Sequence, residues 1–105
     1  MTREKRISEI KRCIGAKEYS RGESLAREAI SEMHRSAVFY NLLGVLLEKE
    51  HHHVQAIRYF KTAYELNPEY GPARYNLERY GMFCPLKNCM YSDEEETETG
   101  YTQLF

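Results

Sequence analysis

The chain is poor both in residues that interrupt helices and in residues that staple small domains. Proline stands only at positions 68, 72 and 85, glycine occurs six times in 105 residues, and tryptophan is absent. Residues 1–67 contain no proline, so nothing there deletes a backbone donor or clashes with a preceding turn, and long helices are permitted. Three cysteines, an odd count, exclude a complete disulfide framework and fit thiols held reduced. No stretch approaches the roughly 20 apolar residues that span a bilayer, so no membrane association is expected. The opening Met1-Thr2-Arg3-Glu4-Lys5-Arg6 goes straight into charged sequence without the apolar core of a secretory leader, which makes the cytoplasm the expected location. There is no Gly-rich phosphate loop, nucleophile elbow or HExxH. Glu48 and Glu50, two apart, leave a helix on different sides and cannot act as a carboxylate pair. No enzyme, catalytic residue, metal or cofactor is expected.

What is present is an ordinary folded composition, 42% hydrophobic and 30% charged, in a length that fits one domain. The net charge of -1 conceals an asymmetry. Residues 91–105 carry Asp93, Glu94, Glu95, Glu96 and Glu98 and no Lys or Arg, a charge of -5, which leaves +4 on the other 90 residues. Strand-like alternation is missing, whereas apolar residues recur at helical spacing throughout. Ile7, Ile10 and Ile14 make one such face, and Leu25, Ala26, Ala29, Ile30 and Met33 another. Phe39, Leu42, Leu43, Leu46 and Leu47 make a third, Ala56, Phe60, Ala63 and Tyr64 a fourth, and a fifth runs from Pro72 to Phe83 through Ala73, Leu77 and Tyr80. Breaks fall at Gly15-Ala16-Lys17, His34-Arg35-Ser36, Glu50-His51-His52 and residues 67–71. Such short connections force neighbouring helices antiparallel, so the predicted fold is all-α with about five helices.

A repeat lies within this series. From Ala37 to Tyr70, 34 residues, the fixed points are Tyr40, Leu43-Gly44, Leu47, Ala56, Phe60, Ala63 and Pro68. This resembles the tetratricopeptide repeat, whose pattern of aromatic, Leu-Gly, bulky, Ala, aromatic, Ala and Pro has the same offsets. Physically, small residues at Gly44 and Ala56 allow two helices to cross closely, and the larger ones fill the seam around the crossing. Residues 3–36 form a degenerate copy, with Cys13, Tyr19, Ala26 and Ala29 in register with Leu47, His53, Phe60 and Ala63. In that copy Arg6, Glu9, Ile10 and Gly22 depart from the pattern. Residues 71–83 read as a closing helix, with Leu77 in register with Leu43. The resemblance therefore covers residues 3–83, and residues 84–105 read as a flexible acidic tail.

The resemblance implies an α-solenoid whose first helices line a concave peptide-binding groove. Carried over slot by slot, the lining is Ile7, Lys11 and Ile14, then Val38, Asn41, Val45 and Lys49, then Tyr75, Arg79, Met82 and Phe83. The implied function is non-catalytic protein–protein interaction, an adaptor role, with an acidic, apolar-anchored peptide suited to Lys11, Lys49 and Arg79. The carboxylate clamp of cochaperone relatives is missing, because Leu42 stands in its Asn slot and Asn76 where Arg is wanted. An alternative is self-assembly through the open helical end at Met82 and Phe83, since covering one large apolar side chain is worth ~1.5–3 kcal/mol.

Other features are read more plainly. His51-His52-His53 is taken as a solvated turn, with His53 packing at the start of the next helix, because consecutive residues do not converge on one metal ion. Cys84 and Cys89 have the spacing of neither a zinc knuckle nor a redox pair, and Cys13 belongs to the core. The basic N-terminus has Glu4 and Glu9 interleaved and reads as a salt-bridged outer face, so no nucleic acid is expected. The tail ends Gly100-Tyr101-Thr102-Gln103-Leu104-Phe105 and has the charge and apolar anchors that would let it compete for the groove.

Overall fold

The first helix begins where the sequence supplies a cap: the Thr2 hydroxyl accepts a hydrogen bond from the Lys5 amide at 3.2 Å, with Glu4 in the first turn and Arg12 in the last. The computed structural model describes residues 2–80. They form α1 (Arg3–Gly15), α2 (Tyr19–Glu32), α3 (Ala37–Lys49), α4 (His53–Leu66) and α5 (Gly71–Tyr80), with no strand among the described residues. The fold is all-α, as the periodicity predicts. Met82, Phe83, Cys84, Cys89 and the acidic tail lie outside the described residues.

The backbone keeps a 34-residue period even where the side chains do not. Helix starts recur at 3, 37 and 71 and at 19 and 53, and helix ends at 15 and 49 and at 32 and 66. The turn inside each pair is made the same way. Lys17 and His51 each take a left-handed conformation, with φ of 62° and 68°. One residue further on, the Glu18 amide donates to the Cys13 carbonyl and the His52 amide to the Leu47 carbonyl, each at 2.8 Å. Between pairs, Ser36 N–H donates to Met33 and Tyr70 N–H to Asn67 at 3.1 and 3.0 Å. Helices pack on their sequence neighbours, and α3 also packs on α1 and α5, an arrangement consistent with a helical repeat.

α3 is the centre of the core. Its apolar residues run almost all the way round, which suits a helix covered on every side rather than a surface helix with one stripe. Phe39, Leu42, Leu43, Leu46 and Leu47 are all buried, each contributing ~1.5–3 kcal/mol relative to exposure. Close crossing is achieved differently in the two pairs. At Gly44, a Cβ would stand 2.5 Å from the Phe60 ring, so α3 and α4 meet glycine against aromatic. The equivalent slots in the first pair hold Ile10 and Ala26, both fully buried, so the large residue has moved from the second helix to the first. Gly22, a departure from the repeat pattern, has its own reason: a Cβ there would stand 2.7 Å from Leu46 Cδ2 of α3.

One expectation changes, and one departure from the repeat pattern finds its partner. His53 does begin α4, yet its ring is exposed and its Nδ1 lies 3.1 Å from Glu48 Oε1 instead of packing in the core. Arg6, in an aromatic slot, folds its guanidinium onto the Glu32 carboxylate at 2.7 Å and so ties α1 to the end of α2.

Candidate functional site

α1, α3 and α5 begin 34 residues apart, and α3 touches both of the others. The residues expected to line a groove on these helices fall into three groups. Ile14, Asn41 and Val45 are buried and form floor or core rather than exposed lining. Ile7, Val38, Tyr75 and Arg79 are half-buried, and Lys11 and Lys49 are exposed. Met82 and Phe83 lie outside the described residues.

The structure gathers part of this set around one cavity. About 280 Å³ opens between α3 and α5, lined by Val45, Glu48, Lys49, His51, Asn76 and Tyr80. Its floor is polar for a specific reason. Asn76 Nδ2 donates to Asn41 Oδ1 at 2.9 Å, and both side chains are fully buried. Asn41 also bonds to the Tyr70 hydroxyl. A buried amide–amide bond of this kind fixes how α5 sits on α3, since any slip would leave Asn41 Oδ1 without this donor in apolar surroundings. Asn41 is therefore turned to its own fold and is not a hydrogen-bonding arm for a ligand, which corrects its expected role. Burial pushes the Tyr70 phenol above its ordinary pKa, against the opposing field of Arg3 and the bond to Asn41.

The cations are not equivalent. Lys49 is on the cavity rim beside Glu48, whose carboxylate is engaged by His53. Arg79 donates to the Tyr75 hydroxyl at 3.1 Å, and its guanidinium carbon lies 5.9 and 5.3 Å from the Tyr75 and Tyr80 ring centres. That stacking holds Arg79 against its own helix. Tyr80 in turn stacks on Phe60, ring centres 6.0 Å apart, linking the rim to the core. Two residues of the basic N-terminus are salt-bridged: Arg6 pairs with Glu32 at 2.7 Å and Arg12 with Glu9 at 2.8 Å, and the latter hydrogen bond holds the Glu9 carboxyl below its ordinary pKa. Among the described residues no group of three His, Cys, Asp or Glu side chains could hold a metal ion, and no helix is long and apolar enough to cross a membrane.

Glu48, His51, Asn76 and Tyr80 were not expected in the lining. Asn76 was legible: two asparagines 35 apart in a 34-residue period occupy neighbouring first helices, one position out of register. His51 reaches the rim only because the turn takes a left-handed residue there, and no pattern in the sequence signals that. The chain matches no protein family model, no curated protein and no solved structure.

Proposed function

We propose that the protein is a non-catalytic, tetratricopeptide-like interaction module that takes a peptide segment along α3 and α5. The observation that carries this reading is the cavity between those helices. Its floor is Val45 and the Asn41–Asn76 pair, and its rim combines an apolar ring, Tyr80, with a cation, Lys49, beside the Glu48 carboxylate that His53 engages. A preformed site with an apolar ring, a cation and a fixed polar floor suits a short segment with a bulky anchor and an acidic neighbour. The proposed setting is the cytoplasm and the proposed role that of an adaptor, in keeping with the odd cysteine count and the absence of enzymatic motifs. Self-assembly through the open end is the weaker reading, because Met82 and Phe83, on which it turns, lie outside the described residues.

The test is a peptide array probed with the full chain, followed by amide shift mapping with the best binders. Acidic, apolar-anchored peptides should shift Val45, Lys49, Asn76 and Tyr80. Lys49→Glu should weaken them about five- to tenfold, the effect of reversing one partly screened charge. Binding that maps away from α3 and α5, or that ignores Lys49→Glu, would remove the support for this reading.

A further inference from the structure

The opposite end of α3 carries a second cleft, larger than the first at about 480 Å³. It lies where the start of α1, the α2–α3 turn and the α4–α5 turn converge, and its lining is chemically lopsided. Among the described residues Arg3 and Arg35 are its charged groups, and no carboxylate lines it. Neither arginine forms an ion pair among the described residues, although Arg6, Arg12, Arg21, Arg27 and Arg74 all do. Beside them Met33, Val38, Leu66 and Tyr70 supply an apolar surface, and Leu66 is one of only two large hydrophobic residues left exposed among those described. The Ser36 hydroxyl, also in the lining, is buried and has no hydrogen-bond partner among the described residues, so α3 starts without a side-chain cap. Two guanidinium groups with no ion pair among the described residues, a helix start without a side-chain cap and an apolar shelf together fit an acidic segment with a bulky apolar anchor.

Such a segment is present in the same chain. Residues 91–105 carry five carboxylates and no Lys or Arg, and they end in Leu104-Phe105. Residues 2–80 carry a charge of +3, from 14 basic and 11 acidic side chains. The geometry points to the C-terminal acidic segment as the occupant of this cleft, with the carboxylates of residues 93–98 facing Arg3 and Arg35 and Leu104 or Phe105 on the Met33–Leu66 shelf. The connection is long enough. α5 leads away from the cleft, from Tyr70 to Tyr80, so the chain must return by about 15 Å, the length of ten helical residues. Residues 81–92 span up to ~40 Å when extended. A tethered segment also has an effective concentration near the millimolar range, so weak contacts suffice. This inference does not rest on the groove reading, because the cleft shares no lining residue with the α3–α5 cavity.

The experiment compares amide spectra of the full chain with those of a full-length variant carrying Asp93→Asn, Glu94→Gln, Glu95→Gln, Glu96→Gln and Glu98→Gln. Neutralisation should shift Met33, Val38, Leu66 and Tyr70 and leave Val45 and Lys49 in place. A separate peptide of residues 91–105 should bind the neutralised chain about tenfold more tightly than the native chain, whose own tail competes. Arg35→Glu, at an exposed turn position where folding is not at stake, should abolish both effects. Unchanged cleft amides, shifts at the α3–α5 cavity instead, or cleft shifts that grow with protein concentration and so report a second copy, would each overturn the proposal.

Discussion

Adding one methyl group at Gly44 is the sharpest perturbation of this fold. The Cβ would lie 2.5 and 2.6 Å from two ring carbons of Phe60, roughly 1 Å inside ordinary carbon–carbon contact. Phe60 has little room to yield, because it is fully buried and stacked on Tyr80 with ring planes 18° apart. Overpacking of this kind costs ~1–3 kcal/mol, while replacing glycine in a helix interior returns ~0.5–1 kcal/mol. The net expectation for Gly44→Ala is a loss of about 1 kcal/mol. For a domain of this size that is a fall in Tm of about 4–8 °C, read by far-UV circular dichroism. Gly15→Ala is the internal control: nothing lies within 4 Å of the added methyl, so the helix term acts alone and stability should rise slightly. A double-mutant cycle with Phe60→Leu should show favourable coupling of at least ~0.5 kcal/mol, since the smaller side chain vacates the space the methyl needs. The reasoning is refuted if Gly44→Ala is as stable as the native chain, or if Gly15→Ala is destabilised equally.

Asn76→Ala should destabilise the full chain by ~1–3 kcal/mol in urea, because Asn41 Oδ1 loses its donor inside the core; a loss near zero would mean that water reaches the floor of the cavity. Glu50 gives a pH signature. Its carboxyl is raised above its ordinary pKa, first by a hydrogen bond with the Glu23 carboxyl and then by burial and the Glu23 charge, with His52 opposing. The folded state thus holds this proton more tightly than the unfolded chain. The contribution is fully present below the unfolded pKa of about 4.3 and is lost as pH rises through the folded value. Glu50→Gln should therefore be more stable than the native chain near pH 7 and converge on it near pH 4; a gap that widens on acidification would contradict the assignment.

The sequence by itself determined the all-α class, the five helices and their breaks to within a residue or two, and the core seam of Leu43, Leu47 and Phe60. These follow from local rules: proline placement, helical spacing and the demand that apolar faces be buried. It also determined the charge division between body and tail, which is composition alone. What only the tertiary structure decided depends on which surfaces meet. Asn41 looks like an exposed groove residue by its position on α3, but α5 covers it and turns it into a structural bond. Gly22 and the Ile10–Ala26 exchange look like decay of a repeat, yet they keep the helices close, because packing conserves volume across a contact rather than identity at a position. Arg3 and Arg35 are 32 residues apart and unremarkable in sequence. They become one cleft because three chain segments converge at the start of α3, a juxtaposition that no local pattern encodes.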